Sequence, residues 1–465
     1  MKSGTLFTIV SCLTAFELSG GCAAPEPPSP DTVVQPVHHF PADHKFTLDE
    51  LVDLSIERNA SLDVSRYEAE AAQGLVDQVK ALWLPMLRYD FAATAFDNDM
   101  NYRVRAFHLA TINVPITGSY NLLNSVALAQ IVSTGGKRTS GLKQAKMYAA
   151  IKKLDVLRQR DAVAQDVATY YQLVCLTNDI DAVIDDALRR IRILRQVSGG
   201  LNQRGSLRSS SLDTLEADFV IAEVEQIQIA IRAGRQQAYS ALKQSVGLDP
   251  GEPMLLRQTS LPPAATPAEL VRASLEIAKG FMARPENKEV NLFTKIRAEQ
   301  VKFAKAAWAP NIIFLGNFVN NYNDSPTITN AIDGLLASFL IDVPIYDETR
   351  RGKLREALGL EQASLAFQRQ VEQLITLEID VTAIDAQKAL ASVFRAEWAA
   401  QAAAEHCKAT RQAYSKELVP AANVVIAIGL DALAKVGRLG TLFNYHNAKT
   451  HLKRVTVDRE SRYGY

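Results

Sequence analysis

Lys80-Ala81-Leu82-Trp83-Leu84-Pro85 returns later in the chain as Lys305-Ala306-Ala307-Trp308-Ala309-Pro310. The two copies stand roughly 220 residues apart, a spacing that marks an internal duplication. In each copy a helix-favouring run meets Trp and then proline. Proline removes a donor and biases its predecessor toward extended backbone, so both stretches read as a helix giving way to a strand.

Upstream, Thr47-Leu48-Asp49-Glu50 and Thr266-Pro267-Ala268-Glu269 are both capping boxes. Thr covers the exposed N–H groups, and Glu three residues on reaches back to the cap. Downstream, Leu87, Tyr89 and Phe91 alternate with Arg88 and Asp90, and Leu335–Val343 places apolar side chains at every odd position. Period-two alternation is the mark of a strand between two environments. A membrane barrel with a polar lumen fits it, and so does a half-buried sheet in a soluble protein. Leu142–Ser198 and Leu360–Val419 contain no glycine and no proline. Each run of about 60 residues spans roughly 85–90 Å as a helix, which needs coiled-coil-like partners along its length. The long helices turn back at Ser198–Ser206 and near Leu418-Val419-Pro420, with return helices reaching Val246 and about Val457.

The 465 residues divide into a leader (1–21), a Pro-rich linker (22–45), a first repeat (46–250), an inter-repeat linker (251–265), a second repeat (266–458) and a tail (459–465). Lys2 followed by an apolar stretch from Leu6 to Leu18 reads as a secretory leader, too short to span a bilayer. Ser19-Gly20-Gly21-Cys22 resembles a lipoprotein cleavage site, with Cys22 taking the lipid; simple cleavage near Gly21 or Ala24 is the alternative. Lys+Arg and Asp+Glu each number 51, so the chain has no net charge and no basic stripe for nucleic acid.

Enzymatic chemistry finds no support. The seven histidines, His38, His39, His44, His108, His406, His446 and His451, show no metal-ligand spacing. Gly135-Gly136-Lys137-Arg138 lacks the spacing of a phosphate loop, with Ile131 at the first glycine place and Arg138 at the Ser/Thr place. Asp185-Asp186 reads as solvated helix surface, and Cys175 and Cys407 as small buried hydrophobes.

The order of these features resembles the TolC-like outer-membrane efflux proteins, a family that includes outer-membrane lipoproteins. The resemblance rests on Thr47–Ala72, Ala81–Phe91, Val343-Pro344-Ile345-Tyr346-Asp347 with Arg350–Ala357, and Leu442–Leu452. It implies a mixed, mainly α fold and a homotrimer. Each chain would give four strands to a shared twelve-stranded barrel, joined to a periplasmic α-helical barrel. The function implied is a passive exit duct working with a periplasmic adaptor and an inner-membrane pump, without cofactor, metal or catalytic residue. Gly205, Leu212, Asp213 and Glu216 would lie at the adaptor-facing tip, although Asp213 also suits an ordinary helix start. Asn423 and Ile426 fall at the aperture, where the family often carries acids, with Glu417 in its glycine place. An acidic ring is therefore not expected there, and Asp431 is the nearest residue that could supply charge. The segment Asp97–Tyr120 makes the first strand connection longer than the second (Asn320–Gly334), and both are expected outside the cell, with Phe107–Ile116 extending a strand. The rival reading is a periplasmic coiled-coil adaptor, which would carry one helical hairpin flanked by β-rich modules.

Overall fold

The structure, a computed structural model, describes residues 43–95, 101–106, 110–115, 120–203, 211–264, 284–323, 334–416 and 418–456. The leader, Cys22, the second capping box, Gly205 and Glu417 lie outside them.

Thr47 caps α1 (Leu48–Arg58) with both bonds of the capping box: its hydroxyl accepts from the Glu50 N–H at 3.3 Å, and Glu50 Oε2 accepts from the Thr47 N–H at 2.8 Å. The sequence predicts one helix from there to Trp83. Instead the chain breaks at Asn59 and restarts as α2 (Ala60–Ala81). Asn59 turns extended, caps α2 by accepting from the Ser61 N–H at 2.9 Å, and donates to the Ser245 carbonyl at 2.6 Å. Gly247 sits beside this knuckle at φ +83°, and a Cβ there would overlap the Arg58 carbonyl.

After Pro85 the chain forms β2 (Met86–Ala95), following the short β1 (Lys45–Phe46). A separate hairpin, β3 (Asn101–Ala106) and β4 (Ala110–Pro115), occupies part of the long first connection. Next come β5 (Tyr120–Ser133) and α3 (Lys137–Gln203), 67 residues or about 100 Å of helix. The turn placed at Ser198–Ser206 begins later than expected, because α3 runs through Gly199 and Gly200. Each glycine costs a helix about 1 kcal/mol, while Ile191, Leu194 and Ser198 just before them are buried. α4 (Ser211–Val246) returns, and β6 (Leu255–Leu256) pairs in parallel with β1.

The second repeat gives α5 (Pro285–Ala306), β7 (Asn311–Asn323), β8 (Gly334–Asp342), α6 (Glu348–Ser415, 68 residues) and α7 (Ala421–Thr456). β2, β5, β7 and β8 form one antiparallel sheet in the order β2-β5-β7-β8. Among the described elements the helices form rows. Beside the sheet, α2 packs on α3, α3 on α5 and α5 on α6; further away, α4 packs on α3, α3 on α7 and α7 on α6.

The largest core cluster lies where α1, β1 and β6 meet the middle of α3 and the later parts of α4 and α7, around Phe46, Leu51, Val167, Leu242, Leu256 and Tyr445. A second cluster joins the far parts of α3, α4, α6 and α7 through Ile191, Leu194, Ala217, Cys407, Val424 and Ile428.

The strand-to-helix junctions are fastened alike in both repeats. Arg138 donates to the carbonyls of Leu82 (3.0 Å) and Ile131 (2.9 Å) and lies over the Trp83 ring at 4.8 Å. Arg350 donates to the carbonyl of Ala307, the counterpart of Leu82 in the repeated hexapeptide.

Candidate functional site

The sheet has two unlike faces, and the strand registers define them. Among residues 86–93, 122–131, 311–320 and 334–342, every aromatic ring falls on one face: Tyr89 and Phe91 on β2, Phe314 and Phe318 on β7, and Phe339 on β8. Leu87, Val126, Leu128, Leu335 and Ile341 share it. Every charged residue falls on the other face, with Arg88, Asp90 and Asp342 beside Ser125, Asn317 and Ser338. Arg88 and Asp90 pair at 2.9 Å, and Phe314 and Phe339 stack across strands at 5.2 Å. All of β8 is exposed in the isolated chain, as are Leu87, Tyr89 and Phe91. Among the described strands, β2 and β8 each leave one edge unpaired.

The helical rows end in the same way. One lateral side carries α2 and α4, with Val64, Tyr67, Leu215, Phe219, Ile227 and Ile229 exposed. The other side carries α6, where Leu374, Leu377, Ile384, Phe394 and Trp398 are exposed. The charged sheet face exposes apolar side chains too, Met86, Leu336 and Leu340 among them, and apolar exposure on both sides and on the sheet is far more than a monomer in water normally shows.

At the end remote from the sheet, Leu212 and Asp213 lie in the first turn of α4, and Glu216 is exposed one turn on. Asn423 is exposed near the start of α7, and Ile426 is 53 % exposed on the same side. Asp431 supplies no free charge. It is 3 % exposed, and its Oδ2 accepts from Arg190 at 3.1 Å and from Lys435 at 2.8 Å. That carboxylate ties α7 to α3. Asp185 and Asp186 lie on the helix surface as expected, and each also has a partner: Asp185 accepts from Gln228 at 2.5 Å, and Asp186 pairs with Arg190 at 2.5 Å.

Sequence reasoning missed a polar tie between α3 and α4. Asp181 accepts from Gln228 (3.0 Å), Arg232 (3.1 Å) and Arg235 (3.1 Å) in one buried position. The signal available was Arg232 and Arg235, three apart on one helix face. Cys175 is buried and donates weakly to the Gln258 carbonyl at 3.4 Å; burial pushes its thiol up to about 12, far from a reactive thiolate. His446 is also buried, with Nε2 2.8 Å from the Pro262 carbonyl, and burial holds its pKa below the ordinary value. Among the described residues no group of three or more His, Cys, Asp or Glu could hold a metal ion. No described helix is long and apolar enough to cross a membrane.

No protein-family model matches the chain. Among solved structures, the outer membrane protein VceC of Vibrio cholerae superimposes with a TM-score of 0.72 at 16 % identity, over 88 % of this chain and 95 % of that one. The Campylobacter jejuni CmeC outer membrane channel gives 0.71 at 13 % identity, over 88 % and 85 %. The Neisseria gonorrhoeae MtrE outer membrane channel gives 0.67 at 15 %, over 88 % and 88 %. The chain has the TolC-like outer-membrane channel fold. Protein CyaE of Bordetella pertussis is 24 % identical over 265 residues, which is 54 % of this chain and 54 % of that protein, so the match spans about half the length of that curated relative. The TolC-like fold accounts for the duplicated sheet and long helices; the adaptor-like arrangement, with one helical hairpin, does not.

Proposed function

We propose that the protein is one subunit of a homotrimeric outer-membrane channel, the passive exit duct of a tripartite efflux or export system. The observation that carries this reading is the sheet with all rings on one face, all charges on the other, and two open edges. An open edge is not tolerated in lipid. Three copies joined edge to edge, β8 of one to β2 of the next, give a closed barrel of twelve strands with the rings toward lipid and the charges toward the lumen. The helical rows close in the same sense, α6 of one copy against α2 and α4 of the next. Both contacts are head-to-tail, the kind that forms a ring when the rotation closes.

In this reading the two repeats (46–250 and 266–458) supply six near-equivalent positions around the duct, and the linker 251–265 joins them. Energy comes from an inner-membrane pump, reached through a periplasmic adaptor at Gly205, Leu212, Asp213 and Glu216. Asn423 and Ile426 border the aperture. Residues 1–21 direct export, and a lipid on Cys22 anchors the Pro-rich stretch to the outer membrane. No cofactor takes part.

Purified protein added to a planar bilayer tests the proposal. Discrete conductance steps from a heat-modifiable trimer, with the protein in the outer-membrane fraction, are expected. Material recovered only as a soluble periplasmic monomer would overturn it.

A further inference from the structure

The barrel reading leaves unexplained a concentration of charge where the sheet meets the helices. The ten residues adjoining each strand at that end (76–85, 134–143, 301–310 and 343–352) hold eight Lys or Arg and three Asp or Glu, in a chain with no net charge. The connections at the opposite end (96–119 and 324–333) hold four Asp and two Arg. One end of the sheet is therefore basic and the other acidic.

Pairing does not cancel the excess. Asp77 takes Lys80 at 2.7 Å, Asp347 takes Arg350 at 2.9 Å and Glu348 takes Arg351 at 3.4 Å. Glu299, just outside the collar, takes Lys302 at 2.7 Å and Lys143 at 3.8 Å, one carboxylate for two cations. Arg138 spends its guanidinium on carbonyls and the Trp83 ring, which leave its charge intact. Lys305 is exposed, as are Lys353 and Arg355 beside Glu356 in the first turns of α6.

Apolar side chains stand at the same level. Val343 and Ile345 prolong the odd-numbered apolar series of β8 past its last residue; Ile345 is 92 % exposed and the adjoining Tyr346 78 %. Among the described residues nothing covers them. Aromatic and aliphatic groups bordered by Lys and Arg are the pattern of a segment at the bilayer–water interface.

We propose that this collar binds the anionic phospholipid head groups of the leaflet nearest the helices. Ile345 and Tyr346 enter the glycerol and upper acyl region, while Lys305, Lys353 and Arg355 engage the phosphates. The surface continues the lipid-facing side of the sheet, so the inference rests on the barrel reading. Its charge selects anionic over zwitterionic lipid, and the acidic opposite end fixes which leaflet is served.

Native mass spectrometry of the detergent-released trimer, titrated with phosphatidylglycerol or phosphatidylcholine, tests it. The wild type is expected to retain the anionic lipid about tenfold more strongly, given the attraction of each basic residue to an anionic surface and its screening by salt. The variant Lys305→Gln/Lys353→Gln/Arg355→Gln should fall to about twofold or less, with conductance and heat-modifiable mobility unchanged. A control, Lys408→Gln/Arg411→Gln at the far end of α6, should keep the preference. Equal retention of both lipids by a conducting wild type would overturn the lipid proposal alone, as would an undiminished preference in the triple variant. Retention of acidic muropeptides with no preference between the lipids would reassign the collar to the cell wall and overturn it. A protein that forms no conducting trimer would remove the channel reading and this inference with it.

Discussion

Replacing Asp431 with alanine loosens the tie between the two helical hairpins, and the structure sets the size of the effect. Two charge-assisted hydrogen bonds are lost, from Arg190 and Lys435. Buried, each such bond is worth about 1.5–3 kcal/mol. The cations, however, are 31 % and 32 % exposed, so solvent screening reduces the combined loss to roughly 2–3 kcal/mol. Against this, Asp431 Oδ1 is buried without a hydrogen bond, and truncation relieves about 1 kcal/mol of desolvation. Arg190 also keeps Asp186. The net cost is then about 1–2 kcal/mol, less than the roughly 3–5 expected on breaking a fully buried pair. At about 1.4 kcal/mol per factor of ten, amides of 424–432 should exchange hydrogen about tenfold faster, while those of 350–375 stay unchanged. Hydrogen-exchange mass spectrometry of the assembled protein reads both segments. A double-mutant cycle with Arg190→Met should return a coupling of about 1 kcal/mol. Unchanged exchange at 424–432, or a rise beyond about a thousandfold, would refute the reasoning.

Gly247→Ala forces a Cβ into the Arg58 carbonyl at a positive φ, and should cost about 3 kcal/mol in denaturant unfolding, strain and overpacking together. Cys175 should resist maleimide at about pH 8 in native protein and label fully once unfolded, as peptide mapping would reveal. His446 is held neutral by burial, so above its unfolded value of about 6.5 it adds no pH dependence. As pH falls through that value the unfolded chain takes up a proton that the folded chain does not, and stability is lost. His446→Gln should therefore lose less Tm between about pH 7.5 and 5 than the wild type, read as the difference between the two proteins.

The fold's periodic parts were legible because they are local. The glycine- and proline-free runs 142–198 and 360–419 mark most of α3 and α6, and the Trp-then-proline signal marks both helix exits. What was illegible depends on partners remote in sequence. Asn59 looks like any polar residue inside a helical run, and its role as a break appears only with the Ser245 carbonyl, 186 positions away. β1 and β6 are two residues each, too short for periodicity to register. Asp431 offered charge on paper, yet the fold buries it against Arg190. For the candidate tip, sequence spacing located the helix start at Ser211 near its expected place, while exposure of Asn423 and Ile426 required knowing which side of α7 the second core cluster covers.

The duplication also says what a subunit contact should look like. By repeat, α3 corresponds to α6, α2 to α5 and α4 to α7. Within the chain α3 packs on α5 and α7. In the proposed trimer, the equivalent contact between copies would set α6 against α2 and α4, the two sides left exposed. Inside the chain that contact is made by Ile191, Leu194 and the Arg190–Asp431 pair against α7. Its proposed counterpart would carry exposed apolar side chains, Phe394 and Trp398 on α6 and Phe219, Ile227 and Ile229 on α4. Trp398 is 68 % exposed in the single chain, so Trp398→Ala should change the stability of an isolated subunit by less than about 0.5 kcal/mol. A buried interfacial Trp costs about 2 kcal/mol or more on truncation, and a ring of three repeats the loss three times. Assembly should then weaken by about 6 kcal/mol per trimer, seen as release of monomer at a lower temperature on heat-modifiability gels. A trimer that dissociates at the wild-type temperature would show that this edge of α6 faces something other than the neighbouring copy.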